Sequence, residues 1–305
     1  MNSAQRMMRL AVAAAAMAAL PGMAFTQQQD FSKVQIASQP LTDQLYLLTG
    51  AGGNMALLTG PDGAVLVDDQ FEPLAPKIRA AIALLTDRPV RFVLNTHWHG
   101  DHTGGNEAFG GTGSVIVAHA NTRSRMSTRQ FVDLFKSEVL PASPAALPIV
   151  TFEHGVTLHL NGETINARHV AAAHTDSDVV LYFETSNVVH AGDVFITPAY
   201  PFVDLSSGGT INGLILALDD ILARTNAQTR VIPGHGPLST RADVQAYRDM
   251  LVVVRDRVAR ALRAGRSQQQ VLDARPSREF DQRFGGSFIT AETFVSRTYQ
   301  DLARE

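Results

Sequence analysis

The chain has 305 residues, of which 45% are hydrophobic and 18% charged, so it can bury a full globular core and does not have the composition of a disordered protein. Its formal net charge of −3 and the lack of any run of lysine or arginine argue against a nucleic-acid partner. The chain has no cysteine, so any metal site must be built from histidine and carboxylate side chains.

The N-terminal segment predicts a signal peptide over residues 1–24. Arg6 and Arg9 precede an apolar stretch at residues 10–20, and small residues up to Ala24 follow where a signal peptidase would cleave. The apolar run is too short to span a bilayer comfortably. We therefore expect cleavage after Ala24 and a periplasmic or secreted protein with no stable membrane anchor. A buried N-terminal helix or a retained anchor is the alternative.

After a lead-in at residues 25–40, short apolar runs alternate with helical patterns. Strands are predicted at residues 45–48, 55–59, 64–68, 91–95, 115–117, 179–183, 188–190 and 230–232. Helices are predicted at residues 78–85, 122–137 and 210–222. Asn161-Gly162 is typical of a two-residue hairpin turn. This order of elements predicts an α/β fold with two sheets inside helical layers.

The last part of the chain, residues 241–305, is predicted to be a helical extension. Its helices are expected at residues 242–264 and 289–303, and it contains no histidine. We interpret it as packing against the main body. Whether it also shapes a cleft is left open.

The residues with metal-binding chemistry are concentrated between His97 and His102 (HWHGDH), directly after the strand at residues 91–95. Three imidazoles and one carboxylate at this spacing can bind two metal ions. Two residues that are two positions apart can reach one ion, and the next two residues can turn toward a second ion beside it. Gly100 and the glycines at 104–105 let the backbone fold tightly enough. Chance alone would produce this cluster in roughly one chain in a thousand.

Three further ligand-type residues stand downstream, beside small residues. Their segments are Ala173-His174-Thr175, Ala191-Gly192-Asp193 and Pro233-Gly234-His235-Gly236. Together with residues 95–106 (NTHWHGDHTGGN), they resemble the metallo-β-lactamase superfamily. The resemblance covers about residues 41–240, which we take as the domain. It implies a four-layer αββα sandwich with the metals at the edge between its two sheets.

The resemblance also implies ligands for two zinc ions per chain. It assigns His97, His99 and His174 to the first zinc and Asp101, His102 and His235 to the second, with Asp193 bridging the ions or completing the second site. Asp68, at the end of the strand at 64–68, matches an acidic residue that supports the metal-binding loop. Taken singly, each downstream residue would more often be a hydrogen-bonded structural residue than a ligand.

The implied activity is hydrolysis of an acyl bond, in a β-lactam, lactone, ester or thioester, by a hydroxide that bridges the two zinc ions. Asp101 is the predicted catalytic residue, because it is placed to orient the nucleophile and to move a proton. The expected partner is a small-molecule substrate. The sequence does not indicate which one, nor the oligomeric state.

The sequence around His174 is most similar to the B1-type β-lactamases, which have three histidines at the first zinc. That subclass has cysteine in place of Asp193, commonly lysine in place of Ile196, and a long flap where this chain has only residues 50–53. Asp193 instead resembles the bridging residue of glyoxalase II, lactonases and other ester hydrolases. The start of the helix at 210–222 could receive a substrate carboxylate or could be an ordinary helix cap.

Two other classes of protein stay open. A mononuclear iron dioxygenase acting on persulfides uses part of the same ligand set, and its iron content and oxygen consumption would distinguish it. A non-catalytic periplasmic metal-binding protein would bind zinc without turning over any acyl substrate. The di-iron flavoprotein branch is disfavoured, because it has glutamate where His99 stands.

Overall fold

The computed structural model describes residues 30–304, and the predicted signal peptide lies outside them. From Phe31 onward the chain forms one compact unit. Within the described part, no helix is long and apolar enough to cross a membrane.

Two β-sheets form the centre of this unit. The first has, in spatial order, β1 (Ala37–Pro40), β2 (Leu45–Thr49), β3 (Met55–Leu58), β4 (Ala64–Val67), β5 (Val90–Leu94), β6 (Val115–His119) and β9 (Val150–Phe152). The second has β10 (Gly155–Leu160), β11 (Glu163–His169), β12 (Val179–Phe183), β13 (Val188–His190), β14 (Arg230–Ile232) and β15 (Ser239–Thr240). A separate hairpin pairs β7 (Gln130–Val132) with β8 (Ser137–Val139).

The direction of the strands decides where the loops meet. Strands β1 to β4 form an antiparallel meander, and β4, β5, β6 and β9 are parallel. In the second sheet β13 and β14 are parallel and the other pairs are antiparallel. The loops that follow β4, β5, β13 and β14 carry the predicted metal-site residues Asp68, 97–102, Asp193 and His235. The predicted turn Asn161-Gly162 is confirmed, with Leu160 opposite Glu163 across it.

The helices form the outer layers. They are α1 (Ala75–Ala83), α2 (Gly100–Thr103), α3 (Asn106–Gly110), α4 (Ala120–Met126), α5 (Ile211–Arg224), α6 (Arg241–Arg263), α7 (Gln268–Asp273), α8 (Asp281–Phe284) and α9 (Ala291–Leu302). Among the best predicted is α5, whose apolar face includes Leu214, Leu218 and Leu222, all of them buried.

Three apolar clusters hold these layers together. Between the sheets, side chains such as Leu47 and Val67 pack with Ile165 and Leu181. The outer face of the first sheet packs on α1, and the outer face of the second packs on α5, α6 and α9. The order of layers is therefore helix, sheet, sheet, helix, which confirms the predicted αββα sandwich.

One predicted helix is mostly wrong. The helix expected at residues 122–137 ends at Met126. Ser127 and Thr128 turn their hydroxyls back to the carbonyl oxygens of Arg123 and Ser124, at 2.6 Å and 3.0 Å, and such bonds compete with helix continuation. The alternation that follows forms the hairpin β7–β8 instead.

The C-terminal extension packs as expected. Its predicted helices at 242–264 and 289–303 correspond to α6 and α9, and two shorter helices that the sequence analysis missed lie between them. Val254, Phe284 and Phe294 share one apolar cluster with Leu218 of α5. The extension is therefore part of the core over the second sheet.

Candidate metal centre

The structure brings all seven predicted ligand residues together at one edge of the two sheets. Their metal-binding atoms fall into three overlapping groups, His97-His99-His174, His97-His102-Asp193 and Asp101-His102-His235, within each of which all the atoms lie within 4.8 Å of one another. Most of these residues meet because parallel strands place the loops after their carboxyl ends side by side, whereas His174 comes from the loop after β11, which is antiparallel to its neighbours.

The first cluster consists of His97, His99 and His174, and one ring nitrogen of each points to a common centre. His97 Nε2 lies 3.1 Å and His174 Nε2 lies 2.9 Å from His99 Nδ1. Two nitrogens bound to one tetrahedral zinc at about 2.0–2.1 Å would lie roughly 3.3 Å apart. The rings are therefore already close to the spacing that a shared ion imposes.

An oxygen atom that can accept a ring N–H lies on the far side of each ring. His99 Nε2 is 3.2 Å from a carboxylate oxygen of Asp204, and His174 Nδ1 is 2.6 Å from the carbonyl oxygen of Phe202. His97 Nδ1 is 3.1 Å from Thr96 Oγ1. A neutral imidazole has one N–H, and donation of this N–H to the outer acceptor leaves the inner nitrogen with a lone pair. Three bare lone pairs then face one another, an arrangement that a cation stabilises.

Protonation of this cluster is suppressed. Burial lowers the pKa of His174 to about 4. Burial, followed by the charge of His102, holds the pKa of His97 well below its ordinary value. Both rings are therefore neutral near pH 7, which is the form that binds metal.

The second cluster consists of Asp101, His102 and His235 together with Asp193, so it combines imidazoles with carboxylates. His235 Nε2 lies 3.1 Å from Asp101 Oδ2 and 3.5 Å from Asp193 Oδ1. His102 Nε2 lies 3.4 Å from His235 Nε2 and 3.2 Å from Asp193 Oδ1. Burial alone would lower the pKa of His235, but the charge of Asp193 and the hydrogen bond with Asp101 raise it to about 10. The cluster thus attracts positive charge strongly.

Asp193 lies between the two clusters. Its Oδ1 is near His102 and His235, and its Oδ2 is 3.7 Å from His174 Nε2. Within the described part of the chain, Oδ1 is buried and makes no hydrogen bond of acceptable geometry. A buried carboxylate oxygen without a donor is costly unless a cation faces it. These residues therefore fit a metal pair.

Asp68 occupies the supporting place that the resemblance implies. Its carboxylate accepts hydrogen bonds from the backbone N–H of Thr96 at 2.7 Å and from Thr96 Oγ1 at 2.8 Å. The same group lies 2.8 Å from His102 Nδ1, so it fixes that proton and turns Nε2 toward the cluster. Asp68 thereby connects the strand end before His97 with the ring of His102.

Sequence reasoning missed the residues behind the first cluster. Asp204 is fully buried, and burial alone would raise its pKa, but hydrogen bonds from His99, Ser206 and Ser207 lower it below the ordinary value. It stands in an irregular segment far along the chain from His99, with no motif to mark it. The acceptor at Phe202 is a backbone carbonyl, which every residue has, so the sequence gives no sign of its role.

The helix start near Thr210 does not receive a substrate carboxylate. Thr210 caps α5 through a 2.9 Å hydrogen bond from the N–H of Gly213, and a carboxylate oxygen of Asp301 accepts from the N–H of Ile211 at 2.7 Å. The C-terminal extension supplies that carboxylate. Of the two readings left open for this helix, the structure supports the ordinary cap.

The short loop at residues 50–53 is not a flap over a substrate. A Cβ atom on Gly53 would lie 2.1 Å from the ring of His102, so the loop packs directly against the second cluster. Its backbone is tied there, since the N–H of Gly53 donates to the carbonyl of Asp101 at 3.0 Å.

Residues 48–252 match the family model described as the metallo-β-lactamase superfamily. The chain belongs to this superfamily. The match contains all seven ligand residues and Asp68, and it ends inside α6. Members of the superfamily typically bind metal ions, and the histidine-rich clusters of this chain could hold them.

Two characterised members are related by sequence. The type 2 metallo-β-lactamase of Bacteroides fragilis is 25% identical over 145 residues, which are 48% of this chain and 52% of that protein. The hydroxyacylglutathione hydrolase of Polaromonas sp. (strain JS666) is 29% identical over 169 residues, 54% of this chain and 56% of that protein. The chain thus spans about half the length of the curated relatives it matches. The superfamily includes hydrolases with different substrates.

Among solved structures, a metallo-β-lactamase from Pontibacter korlensis superposes with a TM-score of 0.58. The superposition covers 72% of this chain and 99% of that protein at 20% identity. At this identity the similarity shows the fold alone, and the fold is the metallo-β-lactamase sandwich.

Proposed function

We propose that this protein is a dinuclear zinc hydrolase that cleaves an acyl bond. The observation that carries the proposal is the pair of ligand clusters that share Asp193 and border one cleft of about 400 Å³. A cleft of this volume suits a small molecule. The second cluster supports a two-metal enzyme over a mononuclear iron dioxygenase, which would need only one.

Zinc is the ion that this ligand set favours. Imidazole nitrogens with one or two carboxylate oxygens are common zinc ligands, and three imidazoles are a known catalytic set. His97, His99 and His174 would hold one ion, and Asp101, His102, Asp193 and His235 the other. When bound, two such ions supply Lewis acidity, which polarises an acyl oxygen and lowers the pKa of water toward about 7.

Asp101 is the residue of this chain that we assign to proton movement. It borders the cleft, and its side chain is 26% exposed, so water can reach it. Burial would raise its pKa, but His102 and His235 lower the pKa to about 2, so the group is a carboxylate that can accept a hydrogen bond from water. In hydrolysis the acyl carbon gains the oxygen of water and loses its leaving atom. Asp101 is placed to orient the attacking water through that hydrogen bond and to pass its proton on as the leaving atom departs.

The test is a metal analysis combined with a hydrolysis screen. Full-length protein saturated with zinc should bind two ions per chain and should turn over at least one substrate among β-lactams, lactones, esters and thioesters. His97→Ala should lose the first ion and the activity together. Binding of a single ion at saturation, or two ions with no turnover on any acyl substrate, would exclude the proposed function.

We also propose that the protein is exported to the periplasm or secreted. The charged, apolar and small residues of positions 1–24 support this. Mass spectrometry of the exported form should give an N-terminus near residue 25. An exported form that retains residues 1–24 would contradict cleavage of a signal peptide.

A further inference from the structure

The cleft at the candidate metal centre is bordered by two unlike sets of residues. Four of them are candidate ligands, namely His99, Asp101, Asp193 and His235. The rest are mainly apolar, and they are Phe71, Trp98, Val132, Phe135, Val139, Phe202 and Phe288, together with Gly100 and Ser137. A pocket that is mostly apolar, with a few polar groups converging at one end, places the reacting group at that end and apolar substituents along the wall.

Three aromatic rings form a row that leads from the surface to a metal ligand. The ring of Phe202 stacks on His99 at 5.8 Å with an angle of 14° between the planes. Phe135 lies 5.1 Å from Phe202, and Phe288 lies 6.2 Å from Phe135, measured between ring centroids. The row is therefore continuous from the outer rim inward to the first cluster.

The outer part of this row is left open to solvent. Phe135 is 52% exposed, Phe288 is 65% exposed and Val139 is 37% exposed. A contiguous group of exposed apolar side chains next to a reaction centre is typical of a binding surface. These apolar side chains border the same cleft as four candidate ligand residues. A molecule that contacts both the apolar side chains and the metal centre is therefore the substrate.

Charge restricts that occupant further. Among the described residues, no lysine or arginine borders the cleft, and Lys136, in the turn of the β7–β8 hairpin, is exposed but does not line it. A substrate carboxylate placed on the apolar wall would lose its hydration without gaining a cationic partner, which disfavours anionic substrates.

The geometry points to an uncharged ester or lactone with a medium or long aliphatic acyl chain as the substrate, its chain lying along Phe202, Phe135 and Phe288. This inference rests on the proposed hydrolysis. In that reaction water adds to the acyl carbon, the bond from this carbon to the ester oxygen breaks, and the leaving oxygen takes up a proton. The products are a fatty acid and an alcohol, or the corresponding hydroxy acid from a lactone.

A series of p-nitrophenyl esters tests the chain-length dependence. Between acetate, butyrate, octanoate and decanoate, kcat/KM of the zinc-loaded protein should rise by up to about fourfold for each methylene group that is buried. Phe135→Ala and Phe288→Ala should each lower kcat/KM for decanoate by about fivefold or more and leave acetate nearly unchanged. Phe131→Ala is the matched control, since Phe131 is a 50% exposed ring on the same hairpin that does not border the cleft.

Binding can be measured separately from hydrolysis. Trp98 is the only tryptophan of the chain and borders the cleft. Since Trp98 packs on His99, at 4.7 Å between ring centroids, the bromine of the probe must lie near the ether oxygen. A decyl methyl ether with bromine on the second carbon of the decyl chain, which has no acyl bond to hydrolyse, should quench the Trp98 fluorescence, and Phe135→Ala should weaken the quenching.

The two readouts separate the inference from the proposed function. Equal cleavage of acetate and decanoate, or no quenching by the ether, overturns the inference and leaves hydrolysis standing. Quenching without cleavage of any ester, lactone, thioester or β-lactam overturns the proposed hydrolase and keeps the apolar binding site.

Discussion

The two ligand clusters are built differently, although they share Asp193. The first consists of imidazoles, and its His97 and His174 are almost completely buried, with a hydrogen-bond acceptor behind each ring. The second contains two carboxylates, and the side chains of Asp101 and His235 are 26% and 37% exposed. The comparison teaches that the first cluster is buried and supported by acceptors behind its rings, whereas the second is partly open to solvent.

Removing Asp193 should produce the largest difference between the clusters. We expect Asp193→Ala to weaken the second ion by more than about 100-fold, since loss of even a partner behind a ligand costs about 10–100-fold. The first ion should be affected far less, because its three imidazoles remain, and hydrolysis should fall with the second ion. Chelator competition with zinc measures both affinities.

Asp249→Ala, which changes a half-exposed carboxylate on α6, serves as the control and should leave both affinities unchanged. If Asp193→Ala bound both ions as tightly as the unmodified protein, Asp193 would not be a ligand. The similarity to carboxylate-bridged ester hydrolases would then have to be abandoned.

A smaller loss of affinity for the second ion should follow from a substitution that displaces the Asp193 carboxylate without replacing Asp193. A Cβ atom at Gly234 would lie 1.9 Å from Asp193 Oδ1 and 2.8 Å from its backbone nitrogen, so Gly234→Ala must displace that carboxylate. We expect the second ion to bind about 10–100-fold more weakly.

Gly286→Ala is the control, because it lies outside the candidate metal centre and no described atom outside its own neighbours lies within 4 Å of the added Cβ. Circular dichroism should show both variants folded. Equal zinc affinities in the two variants would mean that the contact at Gly234 relaxes without moving Asp193.

Metal binding at the first cluster can be weakened by changing Asp204, which contacts the outer nitrogen of His99. Asp204→Asn keeps a hydrogen-bond acceptor near His99 Nε2 but removes the negative charge behind the ring. We expect about a tenfold loss of affinity for the first ion and little change at the second. Asp68 lies behind His102, so Asp68→Asn should weaken the binding of the second ion more than that of the first. Identical losses at both ions in both variants would remove the distinction between the clusters.

The mildest change should be Asp193→Cys. A thiolate is a good zinc ligand and a poor manganese ligand, so zinc affinity should stay within about tenfold while manganese affinity falls further. Ester hydrolysis should drop if the native pair depends on a carboxylate between the ions. A variant that gains β-lactam hydrolysis and keeps its ester activity would favour the β-lactamase branch of the superfamily instead.

The order of the elements and the candidate ligand residues could be predicted because both have local signals, whereas the αββα arrangement and the assignment to two ions came from the resemblance to the superfamily. Strands such as Val179–Phe183 are short apolar runs, the HWHGDH motif follows a strand, and Asp193 and His235 each follow a strand and stand beside glycine. Asp204 has no such signal, since its role depends on a fold that brings it to His99 from 105 positions away. Its importance could be read only from the packed structure.

The substrate wall was harder to predict for a related reason. Phe135 lies in a turn where a polar helix was expected, and Phe288 lies between helices of the extension. Exposed aromatic residues in irregular segments have no periodicity that would assign them to a face. Only their meeting at 6.2 Å above the metal centre distinguishes them from ordinary surface residues.

Phe202 contributes to the metal centre through its backbone and to the cleft through its side chain. Its carbonyl oxygen holds His174, and its ring stacks on His99. Every amino acid carries the same carbonyl group, so a different side chain at this position can reshape the cleft while the support of His174 persists. If the proposed hydrolysis is correct, position 202 is thus a place where selection, natural or in the laboratory, can change which substrates are accepted while the candidate ligands stay in place.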